Sequence, residues 1–369
     1  MIPTPATMAS SHTSWARFSF TPYYIFLIFL LPVLIGCNAS EKTEPATTAL
    51  TEGFTLPPAT PISDGEKASL QAACQHWYDS VLRNGPFNGG MLVAKGGNVV
   101  FETYKGMEDL RADSINAQTP FHIASVSKTF TAMAVLKLME AGKLQLTDEF
   151  SKYFSEFNYP GVTIETLLNH RSGLPNYLYF MEDLGWSDTV VMKNKDILNY
   201  LVTKKAELLN VAPPNTRFNY CNTNYALLAL LIEKVSGLSY PNYMEQTFFA
   251  PLGLKETFVY TPAVSNRATP NFDWRGQQIA NNYLDDIYGD KNIYSTPRNL
   301  LTWHRALSSN LLLKPATLMA AYEPYSNERP GIKNYGLGWR MNIYPNGKKV
   351  IFHNGWWHGN NVAFVRLID

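Results

Sequence analysis

The chain has 369 residues, 46% hydrophobic and 17% charged, enough apolar material for a sizeable globular core in one large domain or two. Its formal net charge is +1 and Lys and Arg form no long run, so nothing favours a nucleic-acid or other polyanion partner. Three cysteines, Cys37, Cys74 and Cys221, show no CxxC or zinc-like spacing. Cys74 and Cys221 leave room for one disulfide in an oxidising compartment, but two separate buried thiols are the simpler expectation. No HExxH, GxSxG elbow or phosphate-binding glycine loop is present, and His353 and His358, five apart, make a poor metal pair. Neither a metal nor a cofactor is expected.

In chain order, Tyr23 to Ile35 is an uninterrupted apolar run, with Arg17 the only charge before it. It is shorter than the roughly 20 residues that span a bilayer and contains Pro32, so residues 1–37 read as a signal peptide. The run ends in Leu34-Ile35-Gly36-Cys37, which resembles a bacterial lipobox and implies cleavage before Cys37 and lipid attachment on it. An ordinary secretory signal or short membrane anchor is the alternative. Residues 38–63 are rich in Thr, Ala and Pro and read as a flexible tether, with order starting near Ser63.

Ser63-Asp64-Gly65-Glu66 has the form of a capping box, and Leu70, Cys74, Trp77 and Val81 then share one helical face. Met91 to Lys95 and Asn98 to Tyr104 flank Gly96-Gly97 as a hairpin. Phe121 to Ala124 is a short strand or an extended entry to a helix that runs from Val126 and stops at Gly142. From about Thr147 to Tyr260 the pattern is mostly helical: a Thr163-capped helix to Asn169, Asp196 to Leu201, and Asn224 to Val235 ended by Gly237. Strand patterns return at Tyr335 to Ile343, Lys348 to His353 and Asn361 to Leu367, with a turn at Tyr344 to Gly347. Trp303, Trp339, Trp356 and Trp357 are candidates for an apolar cleft or for the core.

The segment FHIASVSKTF, Phe121 to Phe130, places Ser125 and Ser127 ahead of Lys128. Activating a serine at neutral pH needs a base within hydrogen-bond reach. Helix neighbours at i and i+3 share a face, and those at i and i+1 do not, so Ser125 rather than Ser127 suits Lys128. Ser125 also falls at the helix N-terminus, where backbone N–H groups favour developing negative charge. A lysine ordinarily titrates near about 10.4, so use as a base requires burial or a neighbouring cation. Ser-x-x-Lys by itself arises about once by chance in a chain this long; its position at a helix start after an extended segment adds weight.

FHIASVSKTFTAMAVLKLMEAGKLQLTD resembles the active-site segment of the serine β-lactamase-like hydrolases, the group of class C β-lactamases, D-Ala-D-Ala carboxypeptidases and family VIII esterases. LLNHRSGLPNY (Leu167 to Tyr177), FNYCNTNYALLALLIEKVSG (Phe218 to Gly237), GDKNIYSTPRNLLTW (Gly289 to Trp303), YGLGW (Tyr335 to Trp339) and HNGWWHG (His353 to Gly359) resemble further family segments, in order, over roughly residues 64–369. The resemblance implies an α/β (α+β) penicillin-binding transpeptidase-like fold: an antiparallel sheet flanked by helices, from residues 64–147 and 270–369, with a helical insertion at 148–269 and the site between them. It implies Ser125 as nucleophile, Lys128 and Tyr220 as proton carriers, Asn222 as a hydrogen-bonding partner of Lys128 and substrate, and His353 on the site wall. The backbone N–H groups of Ser125 and Trp356 would form the oxyanion hole, and Asn354 and Gly355 would contact substrate. His170 takes a structural role.

Alternatives stay open for single residues: Asn222 also fits a helix cap, and His353 a satisfied strand histidine. His353 and Asn354 stand where β-lactamases carry Lys and a hydroxyl residue, which favours an ester or peptide substrate over a β-lactam. The expected function is an envelope-anchored serine hydrolase of a small-molecule or peptide substrate, at a membrane through Cys37. The alternatives are a catalytically silent lipoprotein that binds peptidoglycan or a partner, and a β-lactamase. The resemblance also leads us to expect a further strand and a C-terminal helix beyond Asp369.

Overall fold

Two helices that are buried over most of their length occupy the centre of the protein. The structure is a computed structural model and describes residues 53–109 and 114–368, which belong to one compact unit. The leader and Cys37 lie outside the described residues. Residues 53–62, assigned to the tether by composition, lie against the domain: the Phe54 and Thr60 amides donate to the carbonyls of Pro251 and Gly96, both at 2.8 Å, and Arg305 donates to the Pro57 carbonyl at 2.6 Å. Composition did not reveal this, because the bonds use backbone groups that every residue carries.

Helix α1 (Asp64–Val81) is capped by Ser63, whose hydroxyl accepts the Glu66 amide at 3.2 Å. The Glu66 carboxylate pairs instead with Lys95, so the capping box is half made. The expected apolar face is also only half used: Tyr78 is the buried residue, while Trp77 and Val81 stay exposed. The hairpin forms as expected from β1 (Gly89–Lys95) and β2 (Asn98–Lys105), with Gly96 and Gly97 at the turn. It packs on α1 through β2, and Glu102 on β2 binds Arg298 with two bonds of 2.8 and 2.9 Å.

β3 (Phe121–His122) is only two residues long, and a 3-10 turn, Ala124–Val126, leads into α2 (Ser127–Glu140). The helical part contains α3 (Ile164–Leu168), α4 (Tyr177–Asp183), α5 (Asn194–Thr203), α6 (Asn222–Ser236) and α7 (Tyr240–Met244). Gly237 ends α6 in the left-handed conformation, φ 75°, where glycine carries no Cβ penalty. Helices α2 and α6 pack against each other. Phe130 of α2 is fully buried and stacks on Trp303 at 4.3 Å between ring centroids.

Short strands β4 (Phe258–Val259), β5 (Asn271–Phe272), β6 (Gln278–Ile279) and β7 (Ile293–Ser295) precede α8 (Pro297–Ser308) and α9 (Pro315–Ala321). The chain then forms β8 (Lys333–Tyr335), β9 (Arg340–Ile343), β10 (Lys349–Trp357) and β11 (Asn360–Ile368). Among the described residues the strands make four separate sheets: β1–β2, β11–β10–β9–β8, β3–β7–β4 and β5–β6. β10 and β11 are registered over their whole length, but β9 meets β10 only from Lys349 to Phe352. Among the described residues, 353–357 therefore have no ladder partner on the β9 side.

Deleting a buried aromatic ring typically costs about 3–5 kcal/mol. Phe130→Ala should lose stability on that scale in urea denaturation, and a loss under about 1 kcal/mol would show that the Phe130–Trp303 stack does not anchor α2.

Candidate active site

The turn between β3 and α2 presents Ser125, which is half-buried in an otherwise buried stretch. Lys128 lies one helical turn on and is fully buried. Its ammonium donates to Ser125 Oγ at 3.1 Å and to the Asp290 carbonyl at 2.8 Å. The tyrosine rings of residues 220 and 225 lie 5.1 and 5.6 Å from it, close enough for cation–π attraction. Ser127 is engaged elsewhere: its Oγ accepts the Ile293 amide at 3.1 Å and ties α2 to β7.

Tyr220 lies just ahead of Cys221, the N-cap of α6, and meets Lys128 through its ring face. His170 packs behind it at 4.4 Å between centroids and accepts the Cys221 amide at 3.1 Å. Asn222 is the first residue of α6, whose N-cap is Cys221, so Asn222 is not the cap. Its Oδ1 is buried and makes no hydrogen bond. Buried acceptors are rarely left so. Cys221 is buried, apart from Cys74, and burial pushes its thiol up to about 11.

β10 forms the facing wall. Ile351, His353 and Gly355 are buried, while Asn354 and Trp356 are exposed, Trp356 at 71%, the alternation of a strand. Pleating therefore turns the Asn354 side chain to the opposite face from His353 and Gly355, and it does not meet Ser125 or Lys128. His353 uses both ring nitrogens: Nδ1–H donates to the Asn354 carbonyl at 2.7 Å, and Nε2 accepts the Tyr335 hydroxyl at 3.2 Å. Burial, and then the Lys128 and Arg340 cations, hold its pKa well below the usual histidine range, so His353 is a neutral wall residue.

Gly355 serves the Ser125 turn itself. A Cβ there would sit 2.4 Å from the Ile123 carbonyl oxygen, 2.9 Å from Ala124 Cβ and 3.0 Å from the Ser125 nitrogen. Only glycine lets the strand approach that closely, and this brings the Ser125 amide beside the segment that carries the Trp356 amide. Sequence reasoning anticipated glycine here for the sake of substrate; the structure adds the protein's own backbone.

Arg340 was missed from sequence. It begins β9, opposite Phe352 where the β9–β10 ladder stops, and its guanidinium lies 4.8 Å from the Tyr220 ring centroid. Its position after the YGLGW segment was the available signal. Trp303 and Trp339 are core residues, whereas Trp357 and His358 bind Asp285, with Trp357 Nε1 at 2.8 Å and His358 Nε2 at 2.9 Å. Among the described residues no group of His, Cys, Asp or Glu is placed to hold a metal.

A half-buried serine and a buried lysine at a helix start thus face a strand across glycine. The chain belongs to the Beta-lactamase family, which matches it over residues 82–368. It is 30% identical over 321 residues to penicillin-binding protein 4* of Bacillus subtilis, covering 82% of this chain and 70% of that one. It is 27% identical to the Staphylococcus aureus protein flp, over 72% of this chain but only 54% of the relative, about half its length. Among solved structures, a penicillin-binding protein from Bacillus halodurans superposes with TM-score 0.68 at 28% identity, covering 78% of this chain and 90% of that one. A D-stereospecific amidohydrolase from Streptomyces shares the fold, with TM-score 0.56, 23% identity and coverage of 69% and 81%.

Two outcomes are expected. Gly355→Ala should slow acylation of Ser125 by more than about 10²-fold, the scale for misplacing a reacting group by an ångström, while the protein stays folded by circular dichroism; an unchanged rate would show that the turn has slack. Burial is the leading cause of lowered pKa values at His122 and His304, both to about 4, and of the pKa values held well below the usual histidine range at His170 and His353. Each binds its proton more readily unfolded than folded, so their contribution is complete above about pH 6.5 and is lost as pH falls towards 4. For His122 alone the drop corresponds to about 3 kcal/mol. Urea midpoints at pH 7, 5.5 and 4.5 should fall in that order; a flat series would refute the buried neutral assignment.

Proposed function

We propose that the protein is a serine hydrolase that forms an acyl-enzyme on Ser125, with a peptide or related amide of D-amino-acid type as the favoured substrate and an ester as the simpler one. The Lys128 Nζ to Ser125 Oγ distance of 3.1 Å, in a site closed to solvent on the lysine side, carries this reading. Ser125 Oγ attacks the carbonyl carbon while Lys128, acting as the neutral amine, takes the hydroxyl proton and hands it on towards Tyr220. The tetrahedral oxyanion receives the backbone N–H groups of Ser125 and Trp356. Tyr220, against the lysine, passes a proton to the leaving nitrogen or oxygen as the C–N or C–O bond breaks. Water then reverses the sequence and releases the acid.

Three features bear on the choice of substrate. Residues 353–357 leave a strand edge open beside Ser125, which suits an extended chain that pairs through its backbone. The unpaired Asn222 Oδ1 is an acceptor, and an amide supplies the N–H that an ester lacks. His353 is neutral, so positive charge for a substrate carboxylate comes from the Arg340 guanidinium beside Tyr220. The leader sequence supports anchoring of the mature chain to the cell envelope through a lipid on Cys37.

The test is intact mass after exposure to a fluorophosphonate and, separately, to a penicillin, with D- and L-amino-acid amides assayed alongside. One adduct is expected on the native chain and none on Ser125→Ala. Lys128→Ala should slow labelling by about 10²–10⁴-fold, the usual worth of general base catalysis. Adduct on Ser125→Ala, or none on folded native protein, would refute the hydrolase reading and leave a silent binding lipoprotein. Rapid turnover of the penicillin would make it a β-lactamase instead.

A further inference from the structure

Ala124, immediately before the proposed nucleophile, has φ 47°. That is the left-handed region, which a residue with a Cβ adopts at a cost and keeps only when its surroundings hold it there. Ala124 is fully buried with its Cβ turned towards Gly355. Its neighbours are anchored by backbone: the Ile123 amide donates to the Ile293 carbonyl at 2.9 Å, and the Val126 amide to the Ile123 carbonyl at 3.0 Å. The Ala124 amide instead donates to a side chain, His122 Nδ1, at 3.0 Å.

His122 is in turn fixed. Its Nδ1 accepts, so Nε2 carries the proton and donates to Asn292 Oδ1 at 3.0 Å. Asn292 Nδ2 donates to the Asp285 carbonyl, and the Tyr294 ring meets the imidazole edge to face at 5.0 Å. The ring therefore holds one tautomer and one orientation, with its lone pair aimed at a single backbone N–H. That N–H belongs to the residue whose dihedral angle directs Ser125.

We propose that His122 is a positioning residue for the nucleophile: its Nδ1 lone pair holds Ala124 in the left-handed conformation and so aims the Ser125 hydroxyl at Lys128 and the Ser125 amide at the oxyanion. His122 touches neither substrate nor Ser125 Oγ; it acts through Ala124. The proposal rests on the acyl-enzyme reading above.

Two polar replacements separate this role from simple packing. In His122→Asn the Oδ1 falls near the position of Nδ1 and can accept the Ala124 amide. In His122→Gln the terminal amide falls near Nε2, keeps contact with Asn292 and leaves the Ala124 amide without its acceptor. Fluorophosphonate labelling of Ser125 is measured as a second-order rate constant, with amide exchange at Ala124 followed in parallel. His122→Gln should label at least about 10-fold more slowly than native and lose protection at Ala124; His122→Asn should stay within about 3-fold and keep it. Adding Ala124→Gly to His122→Gln should recover most of the lost rate, because glycine reaches positive φ without a Cβ penalty. Equal labelling by the Asn and Gln variants, or no recovery in the double variant, overturns the proposal while leaving the hydrolase reading intact. Native protein that takes no label overturns both. If the Gln variant fails to fold, the Asn variant and Ala124→Gly in the native background decide: slow labelling by His122→Asn with Ala124 still protected also overturns it.

Discussion

Lys128 has no access to water, and an ammonium group in that position is costly unless its N–H groups are satisfied. Much of the architecture around α2 meets this one requirement. The Asp290 carbonyl reaches in from the loop before β7, Ser125 Oγ from the turn before α2, and two tyrosine faces from α6 and from Tyr220 just before its N-cap. Each partner comes from a different part of the chain. The helical part and the sheet part are therefore joined at this buried lysine.

The opposite wall is constrained by shape. β10 approaches the Ser125 turn so closely that no side chain fits at Gly355. The strand thus fixes the position of the Ser125 amide relative to its own backbone. His353 contributes orientation and neutrality to this wall, with its two ring nitrogens spent on Tyr335 and its neighbour's carbonyl. Positive charge in the cleft is left to lysine and arginine side chains on other elements.

Local features were legible in the sequence. The capping serine, the Gly96-Gly97 hairpin, the Thr163 cap and the Gly237 stop all act within a few residues, and their chemistry is written in residue type. The serine–lysine pair was legible for the same reason, since three residues on a helix fix a distance. What sequence did not show depends on contacts far along the chain. His122 and Asn292 are 170 residues apart, and Arg340 matters because β9 stops pairing beside it. The misjudged face of α1 has the same origin: periodicity marked Trp77 and Val81 as apolar, but burial needs a partner, and among the described residues that face has little. Asn354 was placed by motif, whereas the strand's pleat decides where its side chain points.

Phenols crowd the region around the cleft, and burial raises three of them, Tyr177, Tyr225 and Tyr335, well above the ordinary tyrosine range. They remain neutral donors throughout the alkaline conditions in which an enzyme is ordinarily assayed. Any basic inflection in a rate profile must then arise from other groups, which narrows its assignment before a single variant is made.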